Sequence, residues 1–149
     1  MSTYPEVRVS GHCYGGCLSY EVHLPEGERP IFTAYCHCDS CRRSHAAPLY
    51  QVVCVAEEQF RITAGAEHLV EYTKPGGTIT RAFCGACGTR ILNRFGDWRV
   101  RGHTPLVFFP NTLDEGTMDD LPPTLRPRKN SFPDGCVLDP ERLREVLDR

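Results

Sequence analysis

The stretch Leu69-Val70-Glu71-Tyr72-Thr73-Lys74-Pro75-Gly76-Gly77-Thr78-Ile79-Thr80-Arg81-Ala82-Phe83-Cys84-Gly85-Ala86-Cys87-Gly88 carries both signals that decide the fold. Val70-Glu71-Tyr72-Thr73 and Thr78-Ile79-Thr80-Arg81 flank Pro75-Gly76-Gly77. Glycine accepts positive φ at little steric cost, so this part predicts a β-hairpin. The end, Cys84-Gly85-Ala86-Cys87-Gly88, sets two thiols two residues apart in a turn that small glycines make tight, which is half of a tetrahedral zinc site. A β-scaffold pinned by thiolate-bound metal is expected.

Outward from this stretch, short apolar or alternating runs broken by glycine and proline recur on both sides: residues 18–24, 31–35, 50–55, 60–63, 91–95 and 106–109. They read as further strands. Helical periodicity shows only at the C-terminus, where Asp139 can cap, Pro140 suits the first position, and Leu143, Val146 and Leu147 share one face. That helix is expected to pack as a lid or brace. Residues 111–133 are Pro-rich, with Asp114, Glu115, Asp119 and Asp120 followed by Arg126, Arg128 and Lys129, and read as a solvated surface loop.

A chain of 149 residues, 40% of them hydrophobic, buries one core, so residues 1–149 are read as a single zinc-binding domain of mainly β class with a short C-terminal helix. With 17 basic against 19 acidic side chains the net charge is −2, which exerts no general pull toward nucleic acid or an anionic membrane. Met1-Ser2-Thr3-Tyr4-Pro5-Glu6 lacks the basic start and apolar run of a signal peptide, and no stretch approaches membrane-spanning length. A cytoplasmic location is expected, and there the nine cysteines read as metal ligands or catalytic groups rather than disulfides.

Cys36-His37-Cys38-Asp39-Ser40-Cys41 offers three more thiols: residues two apart on an extended segment point the same way, and a following turn can bring Cys41 round to join them. Gly11-His12-Cys13-Tyr14-Gly15-Gly16-Cys17 adds two thiols in a glycine-rich bend before a strand. Seven thiols for the eight positions of two tetrahedral ions leave one position open, a pattern of one closed structural site and one site able to take water or substrate. The competing reading is one zinc ribbon of Cys38, Cys41, Cys84 and Cys87, although the separation of its two pairs exceeds the roughly 15–20 residues of compact ribbons. Cys54, in Val52-Val53-Cys54-Val55, reads as a buried small hydrophobe, and Cys136 as an incidental loop thiol. His37 alternates away from the neighbouring cysteines, which makes it a supporting or surface group, and His12 is less determined.

These blocks resemble the glutathione-dependent formaldehyde-activating enzyme and centromere protein V family, whose hallmarks are a G-x-C-x-C-G start, a C-x-C-x-x-C-R centre and an F-C-x-x-C-G knuckle. The matching residues are Gly11-His12-Cys13-Tyr14-Gly15-Gly16, Cys36 to Arg42 and Phe83 to Gly88, so the likeness runs over about residues 10–95. It implies a β-tent of packed antiparallel sheets and two zinc ions. One would be structural, on Cys13, Cys17, Cys84 and Cys87, and one catalytic, on Cys36, Cys38 and Cys41 with an open fourth position. The chain departs from the pattern at Gly15, where the family carries its second N-terminal cysteine and where Cys17 is the substitute at hand. It departs again at Ala46, where a glycine is usual, and at Thr124-Leu125-Arg126-Pro127-Arg128, which lacks a histidine often found there.

The activity implied is that of a carbon–sulfur lyase-like enzyme on a glutathione-type thiol adduct of an aldehyde or another electrophile. Zinc would lower the thiol pKa, and Arg42 and Arg43 are candidates to pair with substrate carboxylates. Two alternatives are a zinc hydrolase or dehydratase acting on a different small molecule, and a non-enzymatic module in which zinc supplies folding energy.

Overall fold

The computed structural model describes residues 4–114 and 119–148. Met1 to Thr3 and Glu115, which entered the readings of the N-terminus and of the acidic loop, lie outside the described residues. The protein is mainly β, with two sheets and a short C-terminal helix.

The strands are β1 (Val7–His12), β2 (Ser19–Leu24), β3 (Phe32–Cys36), β4 (Tyr50–Ala56), β5 (Phe60–Ala64), β6 (Leu69–Thr73), β7 (Thr80–Cys84), β8 (Arg90–Arg94), β9 (Pro105–Phe108) and β10 (Lys129–Ser131). Three form a small antiparallel sheet in the order β1-β2-β5, and seven form the large sheet β10-β3-β4-β9-β8-β7-β6. The hairpin at Pro75-Gly76-Gly77 is present, joining β6 to β7 with Thr73 opposite Thr80. One edge departs from the all-antiparallel expectation: β10 runs parallel to β3.

The large sheet is buried on both faces at its centre, because side chains of successive residues point to opposite sides. Along β4 and its partner β9, Val53, Val55, Leu106 and Phe108 join Tyr20, Val22 and Leu24 of the small sheet in an inner core. Val52, Cys54, Val107 and Phe109 face the other way, into an outer core with Ala34, Cys36 and Cys41. That double burial is why these strands read as unbroken apolar runs. Between β7 and β8 the register shifts, so that both Ile91 and Leu92 reach the inner core.

Several expectations are corrected. Val7, Val9 and Gly11 are the inward positions of a strand that the sequence reading omitted. A helix α1 (Asp39–His45) replaces the simple turn expected after Cys38. Residues 111–133 are not merely a solvated loop: Leu121 and Leu125 are fully buried in the inner core. The C-terminal helix α2 (Pro140–Leu147) forms with Asp139 as its cap, but it braces nothing, for none of its residues is buried. No helix among the described residues is long and apolar enough to cross a membrane.

Candidate metal centres and the adjoining pocket

Two groups of three cysteines converge, one on each side of the large sheet. In the outer group the sulfurs of Cys36, Cys38 and Cys41 lie within 4.8 Å of one another. Cys36 ends β3. Cys38 is the N-cap of α1, its sulfur accepting the backbone N–H of Cys41 at 3.3 Å. The helix therefore turns Cys41 back toward Cys36. Ala46, where the family pattern has glycine, ends α1 in the left-handed region at φ 51° and lets the chain turn into β4.

In the inner group Cys13, Cys17 and Cys84 also lie within 4.8 Å of one another. Cys13 sits in a tight turn closed by Gly16 N–H to Cys13 O at 3.0 Å, and its sulfur accepts the Leu18 N–H at 3.4 Å. The knuckle makes the matching turn, Gly88 N–H to Cys84 O at 2.7 Å, with Gly88 at φ 83°. Cys17 Sγ stands 3.5 Å from Cys84 Sγ and 3.9 Å from Cys13 Sγ. Cys87 is the neighbour of this trio: it interacts with Cys13, and Thr89 Oγ1 lies 3.3 Å from its sulfur. A side chain at Gly15 would press on Cys87, its Cβ meeting that of Cys87 at 3.2 Å. The loop turns Cys17 toward Cys84 and sets position 15 against Cys87. The fold does not gather Cys38, Cys41, Cys84 and Cys87 about one point, as a single ribbon would require.

The donor sets suit a soft or borderline cation such as zinc. Hydrogen bonding from Cys36 holds the Cys41 thiol well below its ordinary range while Cys36 itself is pushed up, and contact with Cys84 pushes Cys17 up to about 12. Sulfurs packed this closely share negative charge poorly without a cation among them. Two three-cysteine groups can therefore hold metal ions, with chemistry compatible with zinc.

The outer group opens onto a pocket of about 460 Å³, whose lining includes all three of its cysteines together with Tyr50, Asn93, Phe95, Trp98 and Phe132. The Tyr50 hydroxyl hydrogen-bonds with Cys36 and Cys41, and burial pushes its pKa up, so it stays protonated. Its ring stacks on His45 at 4.1 Å. Arg81, on β7, donates through Nη2 to Cys41 Sγ at 3.5 Å, while its Nη1 is buried with no hydrogen-bond partner among the described residues.

Arg42 and Arg43 lie outside the pocket lining and both pair with Asp39, at 3.4 and 3.2 Å. His37 is buried, with Nε2 at 3.0 Å from Asn130 Oδ1, while His12 pairs with Asp114 on an exposed edge. Cys54 is fully buried and joins neither cluster, and Cys136 is exposed. Tyr50, Arg81, Asn93, Trp98 and Phe132 were missed by the sequence reading. Each carries an ordinary strand or loop signal and meets the cysteines only through tertiary folding.

A crystal structure of a Rhodobacter sphaeroides protein, a structural-genomics target, is similar in fold, with a TM-score of 0.58 and 22% identity over 82% of this chain and 99% of that one. Residues 8–134 match the model of a family described as glutathione-dependent formaldehyde-activating enzyme. That match spans all three cysteine blocks and most of both sheets, and the chain belongs to the glutathione-dependent formaldehyde-activating enzyme family.

Proposed function

We propose that the chain is a zinc-dependent carbon–sulfur lyase-like enzyme that joins a small-molecule thiol to an aldehyde carbon, or separates the two again. The observation that carries this reading is a trio of sulfurs, Cys36, Cys38 and Cys41, set in the wall of a pocket. No fourth His, Cys, Asp or Glu among the described residues joins them within the same radius. These three would hold a catalytic zinc with one position facing the pocket; Cys13, Cys17 and Cys84, with Cys87 beside them, would hold a structural one. A zinc at the outer site supplies positive charge that lowers the pKa of a nearby thiol toward neutrality.

In the forward direction the substrate thiol gives up its proton and its sulfur bonds to the carbonyl carbon. The π pair moves to oxygen, which takes up a proton. The reverse breaks the carbon–sulfur bond and returns both, so no oxidant or reductant is needed. Tyr50, protonated and hydrogen-bonded to two of the cysteines, and Asn93, 5% exposed in the same lining, offer donors to the oxygen on which charge develops. The apolar walls limit water around the reacting carbon. Arg42 and Arg43 would meet a substrate carboxylate only by leaving Asp39. Nine thiols without a disulfide suit a reducing compartment, and a cytoplasmic setting is part of this proposal.

Metal analysis with Cys38→Ser tests the reading. The expected result is two zinc ions per wild-type chain and one in a folded variant that no longer accelerates adduct formation between a thiol and an aldehyde. A folded, one-zinc variant with an unchanged rate would refute it.

A further inference from the structure

The pocket beside the outer cysteines has a composition that says what belongs in it. Its apolar walls come from Phe32, Val52, Ile79, Phe95, Trp98 and Phe132, and its lining contains no Asp, Glu, His, Lys or Arg. Lys129 and Arg81 come near without entering. The Lys129 ammonium lies over the Phe32 ring at 4.8 Å, and the Arg81 guanidinium is turned to Cys41 Sγ. Taking an ionised carboxylate or ammonium out of water with no partner of opposite sign is costly, whereas an uncharged ring gains by leaving water. A tripeptide thiol bearing two carboxylates and an amine therefore finds no basic or carboxylate side chain in this lining to pair with, only neutral polar groups such as Ser40, Thr78, Asn93 and Ser131.

Two aromatic side chains flank the space. Trp98 is 45% exposed and stands edge-on to Phe95, with centroids 5.4 Å apart. Phe132 is 66% exposed and is held at φ 56°, a conformation strained for a bulky side chain. The backbone around it is fixed: His37 N–H donates to Ser131 O at 3.0 Å, and Gly135 N–H to Phe132 O at 3.0 Å. These hydrogen bonds hold the strained residue with its apolar ring in the pocket lining.

We propose that this pocket selects a substrate carrying an uncharged aromatic group next to the reacting sulfur or carbon, and that Trp98 and Phe132 are the specificity-determining residues that grip it. The inference rests on the outer cysteines forming an open metal site, as argued above. The pocket volume of about 460 Å³ falls within the range of small-molecule sites and leaves room for a ring beside the cysteines.

The test titrates the zinc-loaded, full-length chain calorimetrically with phenylmethanethiol and, separately, with glutathione. A cobalt-substituted sample reports by its visible absorption whether either sulfur reaches the metal. Phenylmethanethiol is expected to bind at least tenfold more tightly, and Trp98→Ala and Phe132→Ala each to weaken it severalfold while leaving glutathione unaffected. Both side chains are substantially exposed, so truncation does not threaten folding. Glutathione binding as tightly or more tightly, with the cobalt response intact, would overturn aromatic selection and leave the open site standing. An aromatic preference that survives both substitutions would overturn the role given to these two residues. Absence of any cobalt response to either thiol would overturn the open site and this inference with it.

Discussion

Gly65→Ala tests the seating of the inner cysteine loop more sharply than removal of a cysteine does. Gly65 follows β5 at φ 75°, where an L-residue costs about 1–2 kcal/mol. A Cβ there would lie 2.8 Å from the Cys17 carbonyl carbon and 2.9 Å from Leu18 Cα, and would overlap the Cys17 carbonyl oxygen outright. Ordinary carbon contacts are about 3.5–4.0 Å, so backbone must move by about an ångström. Leu18 is fully buried, and Ser19 beyond it is paired to Ala64, which leaves the loop carrying Cys17 as the part that yields. Metal–sulfur distances tolerate about 0.2 Å, so such a shift takes Cys17 out of ligating range. Strain and overpacking together give about 3 kcal/mol of destabilisation, before any metal-linked loss. Urea unfolding with excess zinc and again with a chelator separates the two effects, since the gap that persists in chelator reports strain alone. The bound metal is expected to fall from two ions to one. A variant that keeps both ions and the wild-type urea midpoint would show that the loop is not seated on Gly65.

Two other outcomes follow from burial and contact. Leu125→Ala removes a fully buried side chain and is expected to cost about 2–5 kcal/mol in urea unfolding, whereas Leu147→Ala, on an uncovered helix face, stays within about 0.5 kcal/mol; equal small effects would mean that the segment around Leu125 adds nothing to the core and behaves as the solvated loop expected from the sequence. Tyr50→Phe keeps the ring stacked on His45 but loses the hydroxyl beside Cys36 and Cys41. Initial rates of adduct formation are expected to drop about a hundredfold with metal content unchanged, and an unaltered rate would remove the hydroxyl from the chemistry.

What the sequence reveals depends on whether a signal is local. Residues 50–55 read as a strand and form one to within a residue, because burial on both faces writes an unbroken apolar run. The outer cysteines read as a group because the three lie within one six-residue stretch. β10 has no such signal: Lys-Asn-Ser contains no apolar residue, and it is a strand only because it pairs with β3. Helix α1 is a seven-residue helix with one buried side chain, Cys41, too little for helical periodicity to register. β1 did carry its alternation, Val7, Val9 and Gly11 inward, ending in a glycine that blurs it. In α2 the apolar stripe is real but names no partner, and the stripe stays exposed. Leu121 and Leu125 were masked by surrounding prolines and charges, and the pocket residues come from separate strands that only the tertiary fold unites.

On the proposed reading, the placement of the two clusters would divide stability from chemistry. Cys17 and Cys84 meet across 67 residues of chain, so an ion joining them closes a long loop and fastens the bend before β2 to the knuckle after β7. By the same logic that makes long-loop disulfides effective, that ion constrains the unfolded chain most. Cys36, Cys38 and Cys41 span one strand end and one helical turn. The corner is already fixed by the N-cap bond of Cys38, the β10 pairing and the His37–Asn130 contact. An ion there would remove little chain entropy, and its charge would be free to act on whatever enters the pocket. One strand serves both arrangements: β7 brings Cys84 to the inner group and, three residues earlier, aims Arg81 at the sulfur of Cys41. Opposite faces of a single β-strand thus tie the anchor between the sheets to the electrostatics of the site outside them.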